Sequence, residues 1–272
     1  VEEASRLAAG TVLSGPAGGM SGGRRCADLV GIPDLVPFDM GGTSTDISLI
    51  SGGQASLSAD GTLAGQRIAL RSLDIASIAA GGGSIASVDA SRTLRVGPES
   101  AGSVPGPACY GNGGEAATVT DANVVLGYLD AAAFMGGKRP LDRAASEAAV
   151  DRIARAMDLS RVEAAAGIYR MINLNMADGI RLMKLRRGGD PRKFALLSFG
   201  GAAGLHAHDQ PLFHRGVMLE RAVAVEMILA DVDQDANARI ERRREIDLIR
   251  RAFDHVGVVH TRRLERQHRG AD

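Results

Sequence analysis

Nowhere in this 272-residue chain do apolar residues run on for the roughly 18 positions that crossing a bilayer requires, and its first residues lack the basic and apolar regions of a signal peptide. A cytoplasmic protein with no membrane partner is expected. Net charge is lacking as well: 32 Lys and Arg balance 32 Asp and Glu, so no overall field favours nucleic acid or an anionic surface. Cysteine is scarce. Cys26 and Cys109 have neither C-x-x-C spacing nor a neighbouring His, which argues against a zinc site or a disulfide framework and predicts two buried free thiols. Lysine is scarce too for a chain of this length. Lys138, Lys184 and Lys193 are the only three, and none follows a G-x-x-x-x-G run, so a Walker-type phosphate loop is excluded. The turn "GGAAG" after "FALLSF" does not fit G-x-G-x-x-G, which leaves a dinucleotide fingerprint without support. No internal repeat is present.

What the chain does have is enough apolar sequence, 45% of residues, to bury a sizeable core. The runs "LVPFD" and "DISLI", joined by a Gly and Thr cluster, read as strand, loop, strand. "TVLSGPAGG" near the beginning reads as a turn-rich passage. A glycine-punctuated stretch over residues 51–137 reads as loops and short strands over a surface, with "AAGGGSIASVD", "VGPESAGSVPGPACYG" and "TVTDANVVLGYL" as its dense points. Two helices follow. "LDRAASEAAVDRIARAM" carries helical periodicity, and the next segment has Ser160 and Glu163 at capping-box spacing with an apolar stripe of Ile168, Met171, Ile172, Met176, Ile180 and Met183. Asn173 and Asn175 within it are expected to bond neighbouring backbone. Gly188, Gly189 and Pro191 end the helix, "FALLSF" reads as a buried strand, and "GGAAGLH" as a glycine-rich turn. Helices following strands in this order predict an α/β layer architecture. From about His208 the texture becomes charged. Ile246, Ile249, Phe253 and Val256 recur at helical spacing, and disorder is expected beyond them. Arg242, Arg243 and Arg244 are flanked by Glu241, Glu245 and Asp247, which suits a solvated helix face better than a nucleic-acid patch.

The stretch "PFDMGGTSTDISLI", residues 37–50, holds groups that a core cannot use. Glycine lets backbone approach an anion closely, so Gly41 and Gly42 suit a loop whose N–H groups converge on phosphate. The hydroxyls of Thr43, Ser44 and Thr45 can add hydrogen bonds to phosphate oxygens. Asp39, at a strand end, is placed to hold a hydrated Mg²⁺ that bridges those oxygens, and Asp46 to orient the loop or a water. The same composition also suits an ordinary hairpin loop.

The residues resemble one family in particular. "FDMGGTSTDISLI" looks like the second phosphate-binding segment of the actin, Hsp70 and sugar kinase superfamily. Within it, six motifs in order are similar to the ATP-dependent hydantoinase and 5-oxoprolinase family, which includes hydantoinase A and acetone carboxylase β-type subunits: "LSGPAGG" (13–19), "DMGGTSTD" (39–46), "AGGGSIASVD" (80–89), "VGPESAGSVPGPACYG" (96–111), "TVTDANVVLGYL" (118–129) and "FGGAAGLHA" (199–207). The resemblance implies an actin/Hsp70/sugar-kinase-like (ribonuclease H-like) α/β ATPase lobe that uses ATP and Mg²⁺ to open a cyclic amide by phosphoryl activation of its carbonyl. It implies a hydantoinase B-like second subunit and a small cyclic amide or ketone as substrate. Gly41, Gly42, Thr43, Ser44 and Thr45 would cradle the phosphates, Asp39 and Asp46 would carry the chemistry with Asp39 facing the metal, and Gly200, Gly201 and Ala202 would lie against the adenosine. Gly81, Gly82, Gly83 and Ser84 would line the substrate side, although a buried structural turn explains the triplet equally well.

Departures from the family pattern bear on this. Relatives commonly read D-I-H-T-V-G-A-G-G-G-S where this chain reads "DIASIAAGGGS", so Ala76 stands in place of a His and Asp74 alone is left as a metal ligand. Ala203 and Gly204 replace a Gly and a Pro in the adenosine-side motif. Relatives begin with another D-x-G-G-T-x-x-D hairpin, and none precedes residue 37 here. Residues 1–207 are therefore expected to be the internal core of a longer subunit, and residues 208–272 a divergent tail from a junction or a shifted frame. Such a piece alone is expected to bind Mg²⁺ and ADP weakly and to be inactive. An acetone carboxylase-type subunit and a non-catalytic Hsp70-like or structural subunit are the alternatives. The hydantoinase-like motifs over residues 81–128 argue against the chaperone-like one.

Overall fold

The computed structural model describes residues 14–58, 61–63, 66–68, 72–187, 193–207, 210 and 223–224; the helix expected around Ile246 and the charged sequence past 224 lie outside the described residues. Strand β1 (Leu35–Met40) and strand β2 (Thr45–Ser48) form the antiparallel hairpin read from the sequence, with Phe38 opposite Ile47, Asp39 opposite Asp46 and Met40 opposite Thr45. Side chains alternate across a strand, so Val36, Phe38, Met40, Thr45 and Ile47 share one face while Leu35, Asp39 and Asp46 share the other.

Among the described residues seven strands make the main sheet. Beside the hairpin these are β3 (Ile50–Ser51), β4 (Gln54–Ala55), β9 (Ile75–Ile78), β12 (Ala195–Phe199) and β13 (Val223–Ala224), in the order β13-β12-β1-β2-β9 with β3 and β4 appended to β1. β12, the "FALLSF" strand, runs parallel to β1, which puts Phe199 beside Asp39. β13 continues the sheet in parallel past residue 207. Three two-stranded ribbons stand apart among the described residues: β5 (Leu57–Ser58) with β8 (Ser72–Leu73), β6 (Gly61–Leu63) with β7 (Gln66–Ile68), and β10 (Ser84–Val88) with β11 (Leu94–Ser100).

Each face of the sheet has its helix. Helix α1 (Ser14–Val30) covers the Asp39 face, where Met20 packs with Leu35, Ile50, Ala195 and Leu197. Its sequence "SGPAGG" was expected to be turns, and it is helical because Pro16 sits in the first turn, where no N–H bond is lost, and because its glycines let it lie close to the sheet. A Cβ on Gly19 would run into the Phe199 ring, and one on Gly23 into Leu197. Helix α2 (Val119–Leu126) also corrects the expectation of loops and strands for "TVTDAN". Thr118 and Asp121 form a capping box there: the Thr118 hydroxyl accepts from the Asp121 N–H at 3.3 Å, and the Asp121 carboxylate accepts from the Thr118 N–H at 3.0 Å.

Helices α3 (Arg143–Met157) and α4 (Arg161–Arg187) match their periodicity. The Ser160 and Glu163 capping box is present at the start of α4, with Glu163 accepting from the Ser160 N–H at 2.9 Å. The α4 stripe of Ile168, Ile172, Met176, Ile180 and Met183 is buried against Val36, Phe38, Met40 and Ile47, forming the main core. Asp121 then ties the loops to the helices. Its buried carboxylate also accepts from the N–H groups of Ala108 and Cys109 and from the hydroxyls of Thr118 and Ser146. Burial and the neighbouring Asp121 push the Cys109 thiol up to about 12, so it is an inert core group as expected; the side chain of Cys26 lies outside the described ones. Among the described residues no helix is long and apolar enough to cross a membrane.

Candidate functional site

The tip of the β1/β2 hairpin, residues 41–44, closes through the Gly41 N–H donating to the Ser44 carbonyl at 3.0 Å. Among the described residues, the N–H groups of Gly42, Thr43 and Ser44 and the hydroxyls of Thr43 and Ser44 have no partner. Gly42 and Thr43 are exposed. Three backbone donors and two hydroxyls at a glycine turn make a cradle for an anion. Thr45 departs from the expected role. Its position in β2 turns the side chain to the α4 face, where it is fully buried and its hydroxyl donates to the Ala80 carbonyl at 2.5 Å.

Directly below the tip, Asp39 and Asp46 stand opposite each other across the hairpin. Asp39 is half-buried, and burial first, then the facing Asp46 carboxylate, holds its carboxyl above the ordinary range. Two acids so placed are relieved by a cation between them and an anion. Gly200 closes the site from the β12 side. Its φ is +92°, and a Cβ there would run into Asp39 Oδ1 and come within 2.7 Å of the Met40 carbonyl, so only glycine fits. The Ala202 N–H donates to that same Met40 carbonyl at 2.9 Å. Parallel pairing of β1 with β12 thus brings Gly200, Gly201 and Ala202 to the hairpin tip, with open space above Gly201.

Gly81, Gly82 and Gly83 are also brought to the tip. The Gly82 N–H donates to the Gly41 carbonyl at 3.0 Å and the Gly83 N–H to the Gly42 carbonyl at 2.6 Å. A Cβ on Gly81 would sit 2.7 Å from the backbone of Gly42 and Thr43. Ser84 is buried, and its hydroxyl accepts from the Gly81 N–H at 2.9 Å, holding the turn in shape. Asp74 is not brought in. It precedes Ile75, which pairs with Ser48, whereas Asp46 pairs with Ser77, so Asp74 lies three residues, about 10 Å, along the strand from the level of Asp46 and away from the tip. Its N–H donates to the Ser56 carbonyl at 2.9 Å. Among the described residues no group of three or more His, Cys, Asp or Glu could hold a metal, so any ion here would rest on the Asp39 and Asp46 pair together with ligand oxygens.

One cluster escaped the sequence reading. His206, fully buried behind the Gly200 turn, faces Asn173 Oδ1 through Nδ1 at 3.0 Å and Asn123 Nδ2 through Nε2 at 3.2 Å. Asn173 Oδ1 also accepts from Gln210 at 3.1 Å, so it is the acceptor, His206 carries its proton on Nδ1, and Nε2 accepts from Asn123. The ring stacks on Tyr169 with centroids 4.8 Å apart, and the Tyr169 hydroxyl donates to the Leu205 carbonyl at 2.8 Å. The available signal was Asn173 on the inner side of α4, where a buried amide requires partners. Asn173 thus departs from the expected backbone bonding by pairing with side chains, whereas Asn175 bonds backbone as expected, donating to the Val96 carbonyl at 3.0 Å.

Comparison with known proteins gives consistent matches. Residues 1–228 match the model of the family described as hydantoinase/oxoprolinase. The chain is 46% identical over 200 residues to the caprolactamase subunit alpha of Pseudomonas jessenii, an alignment covering 73% of this chain and 29% of that protein. It is 40% identical over 199 residues to the acetophenone carboxylase gamma subunit of Aromatoleum aromaticum, covering 72% of this chain and 27% of that protein. Among solved structures, nucleotide-free acetone carboxylase superposes with a TM-score of 0.68 at 34% identity, over 74% of this chain and 29% of the other. The crystal structure of the ATP-dependent caprolactamase from Pseudomonas jessenii superposes with a TM-score of 0.67 at 45% identity, over 72% of this chain and 29% of the other. The chain spans under a third of the length of each of these relatives.

Proposed function

The chain belongs to the hydantoinase/oxoprolinase family, and from that premise we propose that it supplies the phosphate-binding hairpin and the adenosine-side turn of an ATP-dependent enzyme that opens a cyclic amide. Its α/β fold is that of an actin-like ATPase lobe, and it superposes on an acetone carboxylase and on an ATP-dependent caprolactamase. The observation that carries the reading is the hairpin tip: unclaimed N–H groups on Gly42, Thr43 and Ser44 stand above the Asp39 and Asp46 pair, with the Gly200 turn packed alongside.

The residues fit the expected nucleotide and metal in chemical kind. The N–H groups of Gly42, Thr43 and Ser44 and two hydroxyls would hold phosphate oxygens, and Asp39 would hold Mg²⁺ through water. ATP, when bound, supplies the phosphoryl group that turns a poorly electrophilic amide carbonyl into one that water can attack. This chain's part is to place and neutralise charge. Asp46 orients a water or the loop from across the hairpin, and the open space above Gly201, next to Ala202, admits a flat adenosine. A hydantoinase B-like second subunit would complete the substrate side, and the enzyme would work in the cytoplasm.

The test uses the whole protein with its partner subunit. Cyclic amides should drive ATP hydrolysis, and Asp39→Asn should lower that turnover on the order of a hundredfold. Unchanged turnover in Asp39→Asn would put the chemistry elsewhere. The likeness to an acetophenone carboxylase and to acetone carboxylase favours one second reading, ATP-dependent ketone carboxylation. ATP hydrolysis that responds to a ketone and bicarbonate, and not to a lactam, would select it.

A further inference from the structure

We propose that Thr120 is a positioning residue of the phosphate loop, acting through Gly82 and Gly83, and that the glycine triplet serves the nucleotide side and not the substrate side. In a trans peptide the carbonyl of one residue and the N–H of the next point in opposite directions. The peptides concerned are trans. Pinning a carbonyl therefore aims the following N–H the other way.

The contacts form a relay of such planes. The Thr120 hydroxyl donates to the Gly82 carbonyl at 2.8 Å and its N–H to the same oxygen at 2.7 Å. This turns the next N–H, on Gly83, toward the Gly42 carbonyl, where it bonds at 2.6 Å. Holding the Gly42 carbonyl turns the Thr43 N–H outward to the open side of the tip. In parallel, the Gly82 N–H holds the Gly41 carbonyl at 3.0 Å and so turns the Gly42 N–H outward. The two aimed donors are among those left without a partner among the described residues. Glycine is required along the relay because a Cβ on Gly81 or Gly83 would come within 2.7 or 2.9 Å of the Gly42 carbonyl, and one on Gly82 within 2.9 Å of Thr120 Oγ1. Thr120 is itself buried and neighbours Asp121, whose carboxylate gathers the 108–118 loop. The loop and the phosphate cradle are therefore held by adjacent residues of one helix.

The inference rests on the tip being a phosphate cradle. It is tested in the whole protein by titrating MgADP and, separately, by measuring KM for a lactam, in wild type, Thr120→Val and Thr120→Ser. Thr120→Val keeps the branched shape and the N–H bond and exchanges the hydroxyl for a methyl that cannot donate. It should weaken MgADP roughly three- to tenfold, with lactam KM unchanged, and Thr120→Ser should restore MgADP affinity. Unaltered MgADP affinity in Thr120→Val, failure of Thr120→Ser to restore it, or a change confined to lactam KM would overturn the proposal. A wild-type protein that binds MgADP and opens no lactam would sink the functional reading alone, since the ADP titration still decides this one. A wild type that binds no MgADP would sink both.

Discussion

Asp39 is destabilising to the fold that holds it. Its carboxyl is raised above the ordinary 3.8 by burial and by Asp46. Below 3.8 the group is neutral folded or unfolded; as pH rises through the raised folded value it ionises at a penalty only in the folded chain, so stability is lost in that window. Asp39→Asn removes the penalty. The variant should melt higher than wild type at neutral pH without ligand, with the gap closing as pH falls to about 3.8, and thermal melts across pH measure it. Equal melting temperatures at neutral pH would mean that Asp39 bears no such penalty. Loss of activity with gain of stability in one substitution is the signature of a charge kept for a ligand. At this scale the sequence was legible in residue type and less so in direction. Thr43, Ser44 and Thr45 are chemically alike in a list, and only the start of β2 at Thr45 decides that the third hydroxyl enters the core while the other two do not. Ser84, likewise expected to face a ligand, bonds the Gly81 N–H instead.

Elements were read well where burial had one period. Helix α4 was plain from its apolar stripe and capping box, and the β1/β2 hairpin from two apolar runs around glycine. Helices α1 and α2 were not. Glycine density in "SGPAGG" signals turns when local propensity is the guide, yet here the glycines answer a contact with β12 that no local pattern records. Gly18 and Gly19 make this measurable as a pair. Gly18 has open space, so Gly18→Ala should stabilise by up to about 1 kcal/mol through helix propensity. Gly19→Ala drives a methyl into the Phe199 ring, where overpacking of about 1–3 kcal/mol outweighs the same gain, and it should destabilise. Urea denaturation of the two variants should therefore move in opposite directions. Stabilisation by both would mean that α1 does not lie tight on the sheet.

For the molecule as a whole, His206 is the joint. It joins the segment behind the Gly200 turn to α4 through Asn173 and to α2 through Asn123. His206→Ala should lower stability by about 3 kcal/mol, since it empties a buried site and takes the ring partner from the buried Asn123 amide, leaving Asn173 with Gln210, and should speed amide exchange in residues 200–205. In wild type the ring should stay in the Nδ1–H form, which long-range proton–nitrogen correlation spectra report directly; an Nε2–H ring would undo the assignment. Neither this joint nor the parallel pairing of β1 with β12 could be read in advance, because each depends on residues far apart in sequence whose meeting has no periodic trace. Asp39 and Phe199, side by side in the sheet, are 160 positions apart. At the usual pace of protein synthesis, about 5–20 residues per second, roughly 8–30 seconds pass between the making of one and the making of the other. Through that interval the nascent hairpin has water where β12 and Gly200 will be. The proposed site is thus completed well after its hairpin, and a ribosome stalled before residue 199 holds a chain whose β1/β2 tip is already made and has no β12 beside it.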